Sequence, residues 1–325
     1  MNLKTWLLRL AASAAAALTL ASGAHAAAYP DQPIKLIVGF PPGGGGDTYG
    51  RLIAEHMGKA LGHTIIVDNK PGVGGNLAAD AVAKAKPDGY TLLFAMSGNM
   101  ALAPVLRGDK LPYKVPDDFV PIGMAVEAPH GLFVAANSKY KTAQEFFADA
   151  KGGKLTFGST GTGGAAHITM EMVVQKAGVK VLHIPYKGSG PAITDLIGGQ
   201  IDSFFATAPP VMGQVTGGKL RLLAISGEKR NPSMPEVPTL REIGIDVVLT
   251  QWYGVAAPAG TPHEIVEMLR KALSKALASP EFKKVVRADG AVEADRSGDA
   301  FRKYIVEDVA AYRRGVTPEL LKTIE

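Results

Sequence analysis

The first residues that could do chemistry lie in the stretch VGFPPGGGGDTYGR, where an apolar run gives way to two prolines and four glycines, followed by Asp47 and Thr48. Glycine allows another group to approach the backbone closely. A helical pattern follows, and the start of a helix offers unpaired N–H groups and a partial positive charge. Together these features predict an anion-binding site.

A second loop of the same kind, GSTGTGGAAH, occupies residues 158–167 and carries the hydroxyls of Ser159, Thr160 and Thr162. Hydroxyl and backbone N–H donors at the start of a helix suit a carboxylate. A helix cap would account for one of these hydroxyls. It would not account for four glycines and three hydroxyls together, so binding is the favoured interpretation.

The elements that position both loops follow one pattern. Strand, glycine loop and helix occur in order around residues 34–61 and again at 155–178, and strands and helices alternate throughout, which is typical of parallel sheets covered by helices. Segments 121–135 and 247–258 appear extended and are predicted to cross between two lobes. Ligands of open α/β sheets lie beyond the carboxyl ends of the strands, so two facing lobes would place both loops on one cleft. The tail from Pro262 to about Arg314 is predicted to be mostly helical.

Two aromatic residues, Trp252 and Tyr253, sit in the second predicted crossover and are expected to form a wall of the cleft. Phe40, at the end of the first strand, is better explained by core packing when its residue type alone is considered.

The sequence shows no recognisable catalytic motif. The nucleophile motif G-x-S-x-G does not occur. The first loop lacks the Gly-Lys-Ser/Thr end of a phosphate loop and satisfies only the start of a dinucleotide fingerprint. The histidines are scattered, and no His, Cys or Asp/Glu cluster has metal-ligand spacing. A hydrolase or a nucleotide-dependent enzyme on an α/β scaffold is a remote alternative, and no cofactor or metal is expected.

The amino-acid composition further narrows the class of protein. The 325 residues include 46% hydrophobic residues, no cysteine and a formal net charge of +5, which is too mild to indicate nucleic-acid binding. The absence of cysteine excludes a disulfide and an N-terminal lipid on cysteine.

Residues 1–26 have the features of a cleaved secretory signal peptide. Lys4 and Arg9 precede a run of apolar and small residues, and Ala24-His25-Ala26 fits a cleavage site, so the mature chain is predicted to begin at Ala27. A transmembrane anchor is the weaker alternative because the run is short and rich in alanine. The expected location is the periplasm, as a soluble, unlipidated protein.

Five long segments resemble the solute-binding proteins of tripartite tricarboxylate transporters, the Bug family, in the right order and over nearly all of the chain from Tyr29. They are YPDQPIKLIVGFPPGGGGDTYGR, DNKPGVGGNLAADAVAKAKPDGYTLLF, HIPYKGSGPAITDLIGGQID, AISGEKRNPSMPEVPTLREIG and WYGVAAPAGTP.

The resemblance implies a two-lobed type II periplasmic binding protein fold of the α/β class. Each lobe is then a mostly parallel sheet flanked by helices, with two crossover strands as the hinge. The expected first lobe is discontinuous and comprises residues 27–125 and 251–325, while residues 126–250 form the second.

The resemblance also implies which residues grip the ligand, because family ligands are mostly carboxylates held by both glycine loops. Carried onto this chain, the two loops and the segment after the third strand supply Phe40, Pro42, Gly43, Gly44, Asp47, Thr48, Ser97, Asn99, Ser159, Thr160, Gly161, Thr162, Gly163 and His167.

One departure concerns Phe205-Ala206-Thr207, where the family often has Phe-Asp-Thr. Phe205 and Ala206 are included among the candidate ligand contacts. An aspartate at 206 could meet an ammonium group, so its absence favours a plain organic acid over an amino acid as the ligand. A second departure is the terminal RRGVTPELLKTIE, which differs from the family's usual Gly-Ile-Pro-Glu-like end and is expected to affect only the packing of the tail.

The expected function is capture of a di- or tricarboxylate or an aromatic acid, and delivery of that ligand to the membrane permease subunits of a tripartite transporter. The expected protein is a monomer. A sensor that presents its liganded form to a membrane receptor is the alternative, and residue types do not separate the two roles.

Overall fold

The computed structural model describes residues 29–42 and 45–324; the predicted signal peptide and Gly43 and Gly44 lie outside them. The chain folds as an α/β protein. Its strands are β1 (Ile34–Val38), β2 (Ile65–Asn69), β3 (Thr91–Met96), β4 (Phe119–Ala135), β5 (Leu155–Ser159), β6 (Val181–Pro185), β7 (Ser203–Thr207), β8 (Leu220–Ile225), β9 (Thr250–Pro258) and β10 (Val292–Ser297).

The helices cover both faces of the strands. They are α1 (Gly45–Leu61), α2 (Asn76–Ala83), α3 (Ala103–Arg107), α4 (Ala143–Ala150), α5 (Ala165–Ala177), α6 (Ser189–Ile197), α7 (Met212–Thr216), α8 (His263–Ala278), α9 (Pro280–Ala288), α10 (Gly298–Gly315) and α11 (Pro318–Ile324). A π turn at Gly98–Leu102 and a 3₁₀ turn at Gly108–Lys110 flank α3 and extend it at both ends.

Two sheets share the long strand β4. The first half of β4 lies between β9 and β10, and the first sheet continues from β9 through β3 and β1 to β2. The second half of β4 lies between β8 and β7, and the second sheet continues through β5 to β6. The predicted crossover at 121–135 is therefore a single continuous strand, and the second crossover enters the first sheet as β9.

The β-α repeats produce the parallel pairs, as the sequence predicted. Strand β1 is parallel to β2 and β3, and β5 is parallel to β6 and β7. The strands that connect the two sheets run antiparallel to their neighbours. One strand was not expected: β10 lies inside the tail that was predicted to be mostly helical. Three of the six residues in its sequence, VEADRS, are charged, as suits an edge strand.

The helix α10 is anchored on the crossover strands by a buried polar contact. The indole N–H of Trp252, on β9, donates to Asp308 Oδ2 at 2.7 Å. Both side chains are buried, and Trp252 also packs edge-on against Phe301. Burial raises the pKa of Asp308 from its usual 3.8 to about 7, and the nearby charge of Glu127 acts in the same direction.

This buried carboxyl gives a prediction about stability. Between pH 4 and 7 the folded protein holds a proton that the unfolded chain has released, so the contribution of Asp308 to stability falls as pH rises. We expect Asp308→Asn, which retains an acceptor for Trp252, to be more stable than wild type at pH 8 by on the order of 2 kcal/mol. Urea unfolding at pH 8 and pH 4.5 measures the difference, which should shrink at the lower pH. Asp109→Asn, at an exposed position, is the control, and a difference that is the same at both pH values would contradict the assignment.

Candidate functional site

A cleft of about 670 Å³ lies where the two glycine loops meet. Its walls include Phe40 and Gly46 from the first loop, residues 160–164 from the second loop, His130 from β4 and Tyr253 from β9. The volume falls within the range of small-molecule sites in proteins. The structure therefore brings both predicted loops and both crossover strands to one cavity.

The second loop offers uncommitted donors to this cleft. Helix α5 begins at Ala165, its N-cap is Gly164, and no side chain caps it. Its first turn contains no acidic residue, and Gly164, Ala165 and Ala166 line the cleft. The first N–H groups of a helix have no partner within it, and they carry the positive end of the helix dipole. An anion in the cleft could accept hydrogen bonds from these groups and from the Thr160 and Thr162 hydroxyls.

Glycine is required at two positions of this loop. Gly161 and Gly163 have φ values of 142° and 74°, which residues other than glycine rarely adopt. Because both glycines and Thr162 line the cleft, the loop presents backbone as well as hydroxyl to the cavity.

Two stacked histidines support the second loop from beneath. The rings of His167 and His183 lie 3.7 Å apart, centre to centre. The N–H of Gly163 donates to His167 Nδ1 at 3.0 Å, and Ser159 Oγ lies 2.7 Å from His183 Nε2. Burial lowers the pKa of His183 to about 4, and the neighbouring His167 acts in the same direction. Ser159 and His167 are themselves buried and do not line the cleft, so they hold the loop that does.

The first loop contributes less polar surface than the sequence indicated. Asp47 is buried; it accepts from Asn69 Nδ2 at 2.8 Å and from Arg51 Nε at 2.9 Å. These contacts neutralise the carboxylate and fix the start of α1. Asp47, Pro42 and Thr48 do not line the cleft.

The segment after β3 approaches the cleft through its backbone and its neighbours. Ser97 is buried and donates to Gln251 Oε1 at 2.9 Å, and Gln251 lines the cleft. Asn99 is also buried; its Oδ1 accepts from the backbone N–H of Met96 at 3.0 Å. These two predicted contacts therefore lie behind the wall, whereas Gly98 between them lines it.

Three predicted contacts face the core instead of the cleft. Adjacent residues of a strand point to opposite faces, so Tyr253 lines the cleft while Trp252 packs beneath α10. Phe205 and Ala206 are likewise buried in two hydrophobic clusters on β7, and Thr207 is the residue of that strand that lines the cleft. Because position 206 faces the core, the residue there does not indicate whether the ligand carries an ammonium group.

Several lining residues were not anticipated from the sequence. They come from the turn before α2, from the first residue of α2, from the helical segment after β3 and from α11: Gly74, Asn76, Leu102, Ala103, Leu106, Arg107, Lys110 and Leu321. The four-residue spacing of Gly98, Leu102, Leu106 and Lys110 was the available signal for the helical segment. The tail that was expected to affect only packing contributes Leu321 to the wall.

Within residues 29–42 and 45–324, no group of three or more His, Cys, Asp or Glu side chains could hold a metal ion. Over the same described part of the chain, none of the helices combines the length and the apolar character needed to cross a bilayer.

Comparison with protein families matches residues 50–317 to the tripartite tricarboxylate transporter family receptor. A relative from Cupriavidus necator, a UPF0065 protein in the gbd 5' region, is 42% identical over 284 residues, which cover 84% of each chain. Protein BugT of Bordetella pertussis is 34% identical over 293 residues, which cover 89% of this chain and 90% of BugT.

Solved structures agree with these matches. A structure described as a periplasmic transporter has a TM-score of 0.82 at 36% identity, over 90% of this chain and 99% of that one. MatC from Rhodopseudomonas palustris with bound malate has a TM-score of 0.77 at 30% identity, over 89% and 100%. R. palustris Rpa4515 with adipate has a TM-score of 0.80 at 28% identity, over 90% and 98%.

The histidine pair predicts a pH dependence. Between pH 6.5 and 4 the unfolded chain binds a proton that folded His183 excludes, so the folded state loses stability as pH falls. We expect His183→Asn to lower the free energy of unfolding at pH 7. Between pH 7 and pH 5 the variant should lose less of this free energy than wild type does, by roughly 1 kcal/mol once the partial exposure of the His183 ring is allowed for. Urea unfolding at the two pH values measures it. His63→Asn, at an exposed histidine, should leave that loss unchanged; an identical loss in His183→Asn and wild type would refute the argument.

Proposed function

The chain belongs to the receptor family of the tripartite tricarboxylate transporters, the Bug proteins, and from this premise we propose that it is a periplasmic solute-binding protein for a small carboxylate. The ligand occupies the cleft between the two glycine loops, and no reaction takes place there. The bound protein delivers the ligand to the membrane permease subunits of a tripartite transporter.

The uncapped start of α5 is the observation that carries the proposal. A carboxylate has two oxygens and accepts several hydrogen bonds, and the loop from Thr160 to Ala166 offers backbone N–H groups and two hydroxyls in a cavity of suitable size. No acidic residue of the first turn competes for that position. The site therefore suits an anionic group that is recognised by geometry, without a metal.

Two relatives support a carboxylate in particular. MatC holds malate and Rpa4515 holds adipate, and each covers about nine-tenths of this chain. Both ligands are organic acids with two carboxylates, so the shared fold is compatible with ligands of different length.

Ligand capture proceeds by a shift between open and closed arrangements of the two sheets. A ligand that contacts both loops binds the closed arrangement better, and only this difference in affinity moves the equilibrium. Strands β4 and β9 are the hinge, with lobes at 27–125 plus 251–325 and at 126–250. The N-terminal signal peptide directs export to the periplasm. There the protein acts as a monomer.

Thermal melting of the mature protein against a panel of organic acids, amino acids and nucleotides tests the proposal. A ligand that binds only the folded state raises the melting temperature by mass action. At a free ligand concentration one hundred times Kd, the free energy of unfolding rises by about 2.7 kcal/mol. We expect stabilisation by one class of carboxylate. Stabilisation by nucleotides alone, or by no acid across the panel, would reject the assigned function.

The variant Thr162→Phe tests the site. Thr162 is exposed and lines the cleft, so a bulky ring there should fill the carboxylate position and weaken binding at least a hundredfold without unfolding the protein. Thr64→Phe, an exposed threonine outside the cleft lining, is the matched control and should bind as wild type does. Titration calorimetry with the acid found in the melting panel measures both, and unchanged binding by Thr162→Phe would place the site elsewhere.

A further inference from the structure

One face of a helical segment forms a long wall of the cleft. The segment runs from Gly98 to Lys110 as a π turn, the helix α3 and a 3₁₀ turn. Gly98, Leu102, Leu106 and Lys110 are spaced by four residues, which places them on a single face. Ala103 and Arg107, which directly follow Leu102 and Leu106, also line the cleft.

The character of this face changes along its length. The end at Gly98 follows β3 and lies close to Gly74, another residue of the lining. The middle, at Leu102 and Leu106, is apolar. The far end carries Arg107 and Lys110. Arg107 lies nine residues along the segment from Gly98.

The C-terminal helix completes the apolar middle. Leu321 of α11 lines the same cleft, and its neighbour Leu320 belongs to the hydrophobic cluster that contains Leu102 and against which Leu106 packs. The cleft therefore has aliphatic side chains from two elements beside its cationic end.

The two cations at the far end are not committed to protein partners. In the described part of the chain, neither Arg107 nor Lys110 forms a side-chain hydrogen bond or an ion pair, and both are exposed. Arginines elsewhere have carboxylate partners, such as Arg51 with Asp47 and Arg302 with Asp117. Asp109 lies between the two cations in sequence but pairs with neither. Exposed cations are often merely solvated, but these two lie on the same face as the apolar stretch of a ligand-sized cavity.

We propose that Arg107, assisted by Lys110, recognises a second anionic group at the far end of the ligand. This inference rests on the proposed function, in which the first carboxylate lies at the start of α5. The ligand is then an elongated acid whose two anionic ends are separated by an apolar chain. Arginine suits this role because its planar fork binds a carboxylate through two parallel hydrogen bonds.

Calorimetry with matched acids tests the proposal on the mature full-length protein. Adipate and hexanoate have the same number of carbons, and only adipate has a second carboxylate. We expect wild type to bind adipate at least tenfold more tightly than hexanoate. Arg107→Gln should weaken adipate at least tenfold while changing hexanoate less than twofold, because it removes a hydrogen bond between charged groups.

Further variants make the result specific. Lys110→Gln should weaken adipate about threefold, and Arg107→Lys, which keeps the charge but loses the fork, should lie between wild type and Arg107→Gln. Lys86→Gln, at an exposed lysine outside the lining, should match wild type. Melting temperatures of the unliganded variants verify that each is folded.

The failures of the two proposals are distinguishable. If wild type binds hexanoate as tightly as adipate, or if Arg107→Gln weakens both acids equally, the second anion site is wrong while carboxylate binding stands. If wild type binds no acid of the wider panel, the proposed function itself fails, and this inference fails with it.

Discussion

The rest of the structure depends on the sharing of one strand by two sheets. β4 has backbone neighbours on both sides in each half: β9 and β10 in the first sheet, β7 and β8 in the second. Breaking it would leave buried N–H and C=O groups without partners in both sheets. β4 therefore holds the two halves together, and the proposed hinge motion would have to be a rotation about β4 and its neighbour β9. The cleft lies at this junction because His130 on β4 and Tyr253 on β9 form part of its wall.

Around the glycine loops, the groups that face the cavity are mostly neutral. Asp47 is neutralised behind the wall by Arg51 and Asn69, and burial lowers the pKa of both His130 and His183 to about 4, so neither ring carries charge at neutral pH. The positive end of the α5 dipole is therefore the main source of electrostatic field around the glycine loops. This arrangement suits reversible capture, because backbone dipoles are already oriented before an anion arrives and no buried countercharge has to be displaced.

The sequence predicted the features that depend on local residue types. Glycine runs, hydroxyls and apolar runs indicated both loops, the β-α repeats and the two crossovers. It did not separate Trp252 from Tyr253, since both are aromatic and only the orientation of β9 decides which one meets the cleft. The same limit applied to Ala206 and Thr207 on β7. Arg107 and Leu321 were missed for another reason: they are more than two hundred positions apart in sequence, and only the packing of the C-terminal helices brings them to one cavity.

Those C-terminal helices also pack against both halves. Tyr312 of α10 is fully buried, and its hydroxyl lies beside Ser97, which follows β3, and beside Thr169 on α5, without a hydrogen bond of normal geometry. Its ring belongs to a hydrophobic cluster that includes Leu102 from one half and Phe157 from the other. The proposed rotation about β4 would therefore have to slide or break contacts at Tyr312 as well as bend a strand. Dense packing permits discrete arrangements more readily than continuous deformation. We therefore expect α10 to restrict the proposed motion to a small number of distinct lobe positions, among which a ligand in the cleft would select.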